Sequence, residues 1–266
     1  MCPVISGSRS PVGLRGLSQR ICAVLLLGSF GFTPVLAADL AVAPALGGTP
    51  HPKRPNFEHA QASQVVHQVA DWALDSGNNG RLPFIIVDKT DAKVFVFYAD
   101  GRLRGAASAL LGLALGDDSV PGIGKRSLES ILPQERTTPA GRFVASLGRN
   151  LHKGEILWVD YEAAISLHPV ITSNPKEQRL QRLATASTLD KRISYGCINV
   201  PADFFKQVVA PTFKGTNGIV YVLPETRSAQ VVFASYDVDE RARLALAKAA
   251  IPAPAAIDVE AGLASH

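Results

Sequence analysis

The sequence predicts a mainly β fold with many short strands and a few helices. Leu82 to Val87 is a continuous apolar run of strand length. In the next run, Lys93 to Tyr98, successive side chains alternate between the two faces of a strand. Asp100 and Gly101 then give the two-residue signal of a hairpin turn. Further short apolar runs continue to residue 223, and this spacing favours a sheet of many short strands.

The first 37 residues predict a secretory signal peptide. Three arginines precede the acid-free apolar run Ile21 to Phe32, and small residues follow it. Val35 and Ala37 suit the −3 and −1 positions of a cleavage site, so we expect cleavage after Ala37. The run is shorter than the roughly 20 apolar residues of a membrane span. We therefore expect an exported chain with no membrane span after cleavage, and an uncleaved N-terminal anchor is the alternative.

Cleavage would also change the charge balance. The whole chain has 27 basic and 23 acidic residues, and the leader holds three of the basic ones and no acid, which leaves 24 against 23. A net charge near +1 gives no reason to expect a nucleic-acid partner. The 266 residues, 47% of them hydrophobic, are enough for one large or two small domains with a true core.

Two segments separate the leader from the first strand. Residues 38–59 lack an apolar period and predict a linker, and residues 60–81 predict a helix followed by a loop. The expected buried stripe of this helix is Val65, Val69, Trp72 and Ala73.

After the hairpin, we expect alternating strands, loops and helices. Ala107 to Leu115 suits either a strand or a helix by period, and the hairpin context favours a strand. The predicted short strands that follow are Ile156 to Val159, Ala163 to Leu167 and Gly218 to Leu223. The predicted late helices are Asp203 to Val209 and Asp239 to Ala250. Residues 225–266 form an Ala- and Pro-rich extension, and the polar segment 116–138 is long enough to suggest a function.

The chain has three cysteines, and two of them, Cys2 and Cys22, lie in the predicted leader. Cys197 is then the single cysteine of the mature chain. A lone cysteine with a histidine elsewhere is a candidate nucleophile, although a small buried hydrophobic residue is the simpler interpretation. His168, at the end of a predicted strand, is the candidate base, and His152 is the alternative. A satisfied core histidine is the simpler interpretation of His168.

The residues before Cys197 suit a reactive turn. Gly196 has no side chain, so a substrate carbonyl can approach the backbone, where the N–H groups of residues 196 and 197 are candidates for an oxyanion hole. Ser194 is placed either to anchor this turn or to hydrogen-bond the histidine. No cluster of Cys and His has the spacing of metal ligands, so we expect no metal and no cofactor.

Together these residues resemble a known family. Ser-x-Gly-Cys-Ile-Asn at residues 194–199, with a histidine at a strand end upstream and Thr-Pro-Ala-Gly-Arg-Phe from residue 138, is similar to the YkuD-type L,D-transpeptidase catalytic domain. The resemblance covers residues 82–224. It implies a compact β-sandwich or barrel-like core with peripheral α-helices.

The resemblance also implies roles for individual residues. Cys197 is expected to be the nucleophile and His168 the base, with Gly196 and Ser194 completing the catalytic set. The expected substrate-binding residues are Asn199, Tyr195 and Arg192. The implied activity is peptidoglycan L,D-transpeptidation in the periplasm, in which a Cys197 thioester forms 3–3 cross-links between stem peptides. Hydrolysis by a carboxypeptidase or amidase of the same fold, and a non-catalytic wall-binding module, are the alternatives. Oligomeric state is not predicted.

The sequence departs from the family at three places. Tyr195 stands where a histidine is common, Pro169 follows the base where glycine is common, and 29 positions separate His168 from Cys197. The excess lies in an insertion, residues 173–192, where Asn174 and the proline after it predict the start of a short helix. The insertion's cations outnumber its acids and are Lys176, Arg179, Arg182, Lys191 and Arg192. It is either a cationic flap over the site or a solvated surface helix.

Overall fold

The computed structural model describes residues 54–250, and their fold is mainly β, as expected, with a few helices. The strands are β1 Phe84–Asp88, β2 Lys93–Phe97, β3 Leu103–Ser108, β4 Leu111–Gly112, β5 Gly141–Arg149, β6 Glu155–Asp160, β7 Ile165–Pro169, β8 Arg192–Ser194, β9 Ile198–Val200 and β10 Gly218–Val222. The helices are α1 Gln64–Asp75, α2 Arg179–Ala184, α3 Ala202–Phe204, α4 Ala210–Phe213, α5 Ala229–Phe233 and α6 Val238–Ala249. A π-helical segment, Phe205–Val209, joins α3 to α4.

Eight strands form one nearly closed, barrel-like sheet in the order β3-β2-β1-β10-β5-β6-β7-β9. The pairs β1–β10 and β7–β9 are parallel, and the other neighbours are antiparallel. Leu110, just after β3, exchanges two backbone hydrogen bonds with Asn199 of β9, of 2.8 and 2.9 Å. These two bonds link the opposite ends of the sheet and bring the chain after β3 next to residue 197. The short strands β4 and β8 pair separately.

The strands β1, β2 and β10 are buried on both faces, which explains why the first strand reads as a continuous apolar run. Ile85 and Val87 of β1 belong to the core cluster enclosed by the sheet. Phe84 and Ile86 point the other way, into a second cluster that contains residues of α1 and α5. The predicted peripheral helices thus cover the outer face of this part of the sheet.

Helix α1 lies where the sequence predicts it, but its buried stripe is shifted by one residue at its start. The Ser63 side chain caps the helix by accepting from the Val66 N–H at 3.3 Å. Val66 is fully buried, whereas Val65 is 39% exposed, so the expectation for Val65 was wrong. Val66, Val69 and Ala73 share one face with the expected spacing.

Packed structure begins before residue 60 and continues beyond residue 224. Phe57, in the segment read as a linker, is buried against Phe97 with ring centroids 5.2 Å apart. At the other end, Phe233 of α5 stacks near Trp72 of α1. The late helix is present as α6. The predicted signal peptide, residues 38–53 and the tail after residue 250 lie outside the described residues.

The remaining segments depart from the expected elements in detail. The run 107–115 contains the end of β3 and the short β4 instead of one strand. The insertion starts as a 3₁₀ turn, Pro175–Glu177, with Asn174 as its cap. Gln178 then takes a left-handed conformation with φ 48°, and α2 begins at the next residue. The single helix expected here is therefore two short pieces. Within residues 54–250, no helix is both long and apolar enough to cross a membrane.

Candidate active site

The parallel pairing of β7 with β9 brings the two principal residues together. Leu167 is in register with Ile198, and His168 with Asn199. Because side chains alternate along a strand, His168 lies on the same face of the sheet as Asn199, and Cys197, two residues before Asn199, continues that face just ahead of β9. His168 and Cys197 both line one pocket. Its other lining residues come mainly from segment 116–138, the start of β7, Arg179 of the insertion, and residues 194–199.

Cys197 is buried, with 6% of its surface exposed. Its Sγ lies 3.7 Å from the Ser166 hydroxyl and 3.7 Å from the Ala164 carbonyl oxygen. The sulfur therefore sits beside the strand that carries His168. Ser166 was not among the sequence-predicted residues, because only the β7–β9 register brings it opposite residue 197.

His168 is held as a neutral imidazole of defined tautomer. Its Nδ1 lies 2.8 Å from the carbonyl oxygen of Pro169. A carbonyl only accepts, so Nδ1 carries the proton and Nε2 keeps a lone pair. Burial lowers the pKa of His168 to about 4, and the charge of Arg179 acts in the same direction, whereas the bond to Pro169 opposes them. Near neutral pH the ring can accept a proton at Nε2.

Ser194 anchors the turn that presents Cys197. Its hydroxyl donates to the Cys197 carbonyl oxygen at 2.6 Å and accepts from the Gly196 N–H at 3.0 Å. Of the two roles considered for Ser194, these contacts match the anchoring role. They also engage the Gly196 N–H, so an oxyanion would have to replace Ser194 as its acceptor. The oxyanion role of this N–H stays a prediction.

Only glycine fits at position 196. Its φ is +124°, which side-chain-bearing residues rarely adopt. A Cβ there would stand 2.7 Å from the Thr137 carbonyl oxygen and 2.7 Å from the Ile165 side chain. The glycine before the cysteine is therefore required by the shape of the turn, in addition to any role in substrate access.

Thr138 is a site residue for which the sequence analysis predicted no role. It is fully buried, and its hydroxyl donates to the Gly196 carbonyl oxygen at 2.8 Å. The hydroxyl oxygen of Thr138 in turn accepts from the Gly112 N–H at 2.8 Å. Thr138 thus ties the end of segment 116–138 and β4 to the cysteine turn. The Thr-Pro-Ala-Gly stretch was a signal for this residue, but the partner of its hydroxyl depends on the fold.

Asn199 and Tyr195, both predicted to bind substrate, occupy different positions. Asn199 is fully buried, and its Nδ2 donates to the Cys197 carbonyl oxygen at 3.1 Å, while its Oδ1 accepts from Arg179 at 2.8 Å. Tyr195 lines the pocket half-buried, with the Arg136 guanidinium 3.9 Å from its ring centre. Asn199 is thus placed to support the turn, and substrate binding by either residue stays a prediction.

Arg192 lies away from this pocket. It is buried in an ionic cluster, where it donates to the Lys89 carbonyl oxygen at 2.9 Å and pairs with Glu225. Lys89, fully buried, donates to Asp117 at 2.8 Å and to the Thr138 carbonyl oxygen at 3.0 Å. The structure does not bring Arg192 together with Cys197. Through its bond to Lys89, the Arg192 side chain helps to hold segment 116–138, which carries Thr138.

The alternative base, His152, lies in the turn between β5 and β6 and is exposed, as the sequence suggested. The residues that line the pocket with Cys197 include His168 and not His152. Among residues 54–250, no group of three or more His, Cys, Asp or Glu side chains is arranged to hold a metal ion.

Part of this chain is similar in structure to known proteins. No protein-family model matches the sequence, and no curated protein matches it. Among solved structures, the chain is similar to the helical cell shape determining protein Pgp2 from Campylobacter jejuni, with 16% identity and a TM-score of 0.36 over 55% of this chain and 49% of that one. It is also similar to a mutant of the L,D-transpeptidase from Enterococcus faecium, with 18% identity and a TM-score of 0.31 over 53% and 49% of the two chains.

A third similarity is to the catalytic domain of the Enterococcus faecium L,D-transpeptidase, with 17% identity and a TM-score of 0.30. It covers 53% of this chain and 96% of that domain. The chain thus spans about half the length of the first two structures and nearly all of the separate domain. The functional proposal rests on the residues of the site and not on these similarities.

Proposed function

We propose that this protein is a cysteine-dependent L,D-transpeptidase that acts on peptidoglycan stem peptides. The observation that carries the proposal is the pocket lined by both His168, which lies in β7, and Cys197, which immediately precedes the parallel partner strand β9. Three side-chain contacts to the turn carbonyls, from Ser194, Asn199 and Thr138, hold the nucleophile in place. A fixed cysteine that shares a pocket with an imidazole able to accept its proton suits acyl transfer by a thiol.

The proposed reaction has two acyl transfers. The Cys197 sulfur attacks the carbonyl carbon of the third stem residue, and His168 Nε2 takes the thiol proton. The bond from this carbon to the nitrogen of the terminal D-alanine breaks, and His168 returns the proton to the leaving amine. A side-chain amine of a second stem then attacks the thioester and loses a proton to His168. Collapse forms the new amide and restores the cysteine.

The choice of substrate rests on the sequence resemblance. Ser-x-Gly-Cys-Ile-Asn at residues 194–199 supports a catalytic domain over residues 82–224, and the stem peptide is the substrate that this resemblance implies. The predicted leader supports export to the periplasm, where peptidoglycan lies. The proposal therefore includes the stem-peptide substrate and the export to the periplasm. Sequencing the N-terminus of the exported protein tests the second part, with Ala38 or Asp39 as the expected first residue.

The test of the reaction is product analysis after incubating the purified protein with a disaccharide-tetrapeptide. The proposal predicts release of D-alanine together with dimers joined through two third-position residues. Release of D-alanine with disaccharide-tripeptide as the sole product would mean a carboxypeptidase. Recovery of unchanged substrate by a protein that binds it would mean a wall-binding module.

A further inference from the structure

The charged side chains that line the Cys197 pocket, among the described residues, include two arginines, Arg126 and Arg179. The two arginines differ in how many of their guanidinium nitrogens donate hydrogen bonds within the protein. Both terminal nitrogens of Arg126 donate within its own segment, one to Glu135 at 2.9 Å and the other to the Ser130 carbonyl oxygen. Arg126 therefore braces segment 116–138.

Arg179 has a different arrangement. Its Nε donates to Glu177 and its Nη1 to Asn199 Oδ1 at 2.8 Å. Among the contacts within residues 54–250, none uses Nη2, so this part of the planar group remains to donate to a ligand. The side chain is 13% exposed and contributes to the pocket lining, so solvent screening there is reduced.

The position of Arg179 relative to the reacting centre follows from a short chain of hydrogen bonds. Arg179 is bonded to Asn199, and Asn199 is bonded to the main-chain carbonyl of Cys197. The guanidinium is therefore two hydrogen bonds away from the backbone of the nucleophile. In a tetrapeptide stem, the terminal carboxylate lies one residue beyond the scissile carbonyl, and one residue spans about 3.8 Å between Cα atoms.

We propose that Arg179, supplied by the insertion, binds the terminal carboxylate of the donor stem and so selects stems that end at the fourth residue. This inference rests on the proposed function for the identity of the substrate. Glu177 and Asn199 hold the guanidinium in orientation, and planar guanidinium groups suit carboxylates. A stem extended by a fifth residue would put a neutral amide where the carboxylate belongs. The insertion would then be the element that distinguishes four-residue stems from five-residue stems.

The other cations of the insertion do not share this position. Arg182 donates to the carbonyl oxygens of Glu177 at 2.8 Å and Asp190 at 2.7 Å, inside the insertion itself. Lys191 is buried and donates to the Ser108 hydroxyl at 3.2 Å. Lys176 is exposed at the start of the insertion, so it is the matched control with the same charge in the same segment.

The test measures equilibrium binding of a disaccharide-tetrapeptide and its C-terminal amide to the Cys197→Ala protein, which cannot form a thioester. With Arg179 present we expect the free acid to bind at least about tenfold more tightly than the amide, the size of one charge-assisted hydrogen bond. Arg179→Gln should abolish this preference and leave binding of the amide unchanged. Lys176→Gln should keep the preference, and Arg179→Lys should retain part of it.

Two results would overturn the inference. Equal binding of acid and amide with Arg179 present would mean that the pocket does not read the carboxylate. Equal weakening of both ligands by Arg179→Gln would mean that Arg179 only positions Asn199. A separate failure is distinguishable: if the preference is present but the protein with Cys197 intact releases no D-alanine, the carboxylate site stands and the transpeptidase proposal falls.

Discussion

At the scale of single residues, the cysteine turn is held by side chains from three parts of the chain. Ser194 lies within the turn, Asn199 follows it in β9, and Thr138 reaches it from the end of segment 116–138. The carbonyl oxygens of residues 196 and 197 are both acceptors in these contacts. The position of Cys197 is therefore fixed by polar bonds in a buried region, where leaving a polar group without its partner is costly.

Thr138 offers a direct check of this positioning. Thr138→Val keeps the shape of the side chain but removes the hydroxyl, which leaves the Gly196 carbonyl and the Gly112 N–H without this partner. We expect a loss of about 1–3 kcal/mol in the free energy of unfolding, and a fall in kcat that exceeds any rise in KM. Thr138→Ser should restore kcat. A Thr138→Val protein with wild-type kcat would show that this bond does not position the nucleophile.

The protonation state of His168 predicts a pH dependence. A histidine with its ordinary pKa of 6.5 is mostly protonated at pH 5 and cannot accept a proton there, whereas burial lowers the pKa of His168 to about 4. We therefore expect the acid limb of the acylation rate to have a midpoint closer to 4 than to 6.5. The measurement is the rate of acylation against pH, with circular dichroism to confirm folding. A midpoint near 6.5 would contradict the buried, neutral imidazole.

The candidate residues that the sequence could group are those that are close together along the chain or belong to a recognisable motif. Ser194, Gly196 and Cys197 lie within four residues, and His168 is the penultimate residue of β7. Arg179 and the partner of Thr138 could not be predicted in the same way. Their contacts depend on which strands pair and on where a 20-residue insertion folds back, and local patterns contain neither fact.

At the scale of elements, the insertion has hydrogen bonds of its own in addition to the bond from Arg179 to Asn199. Arg182 bonds to the carbonyl oxygens of Glu177 and Asp190, near the two ends of the insertion. Of its two helix leucines, Leu183 is buried, whereas Leu180 is 58% exposed. The N-cap signal at Asn174 was read correctly, but the helix breaks at Gln178. A left-handed glutamine is not a pattern that a sequence window predicts.

We expect Arg182→Ala to loosen the insertion. Removing the guanidinium breaks both links between its ends, so amide hydrogen exchange within residues 173–191 should become faster while exchange in β7 and β9 stays slow. Lys176→Ala is the control, because Lys176 is exposed at the start of the insertion. Exchange that is unchanged in Arg182→Ala would show that packing of Leu183, and not this arginine, holds the segment.

At the scale of the whole described unit, a buried ionic cluster joins four segments that are distant in sequence, and it is linked to the cysteine turn through Thr138. Lys89 follows β1, Asp117 begins segment 116–138, Arg192 begins β8 and Glu225 follows β10. Burial alone would raise the pKa of Asp117, but hydrogen bonds from Lys89 and Thr226 and from nearby backbone N–H groups lower it well below its ordinary range. The charge of Arg192 is paired with Glu225 in this cluster, and substrate binding by Arg192 stays a prediction.

Lys89→Met tests this cluster. The substitution removes the fully buried cation beside Asp117 and leaves it only Arg227, whose Nε lies 3.6 Å away and whose side chain is 42% exposed, so we expect a loss of about 3–5 kcal/mol in the free energy of unfolding measured with urea. Lys214→Met is the control, because Lys214 is exposed, and its effect should stay within about 0.5 kcal/mol. A loss below about 1 kcal/mol for Lys89→Met would mean that the cluster contributes little to stability.

The mainly β architecture could be predicted from local patterns in the sequence. Alternation and the hairpin at Gly101 predicted the short strands, and the apolar run in β1 reflects burial on both faces. The closure between Leu110 and Asn199, and the shift of the α1 stripe from Val65 to Val66, depend on packing between elements far apart in sequence. Such packing overrides local preference, so the sequence indicates the elements more securely than their exact contacts.

The central claim is that His168 activates Cys197 for attack on a stem peptide, and intact-protein mass spectrometry tests it most directly. An unassisted thiol with a pKa near 8.5 is only a few per cent thiolate at neutral pH. With a disaccharide-tetrapeptide, the wild-type protein and His152→Ala should gain the mass of the substrate less D-alanine. His168→Ala and Cys197→Ala should gain nothing while remaining folded. Equal losses in the two histidine variants, or an adduct on Cys197→Ala, would contradict the account.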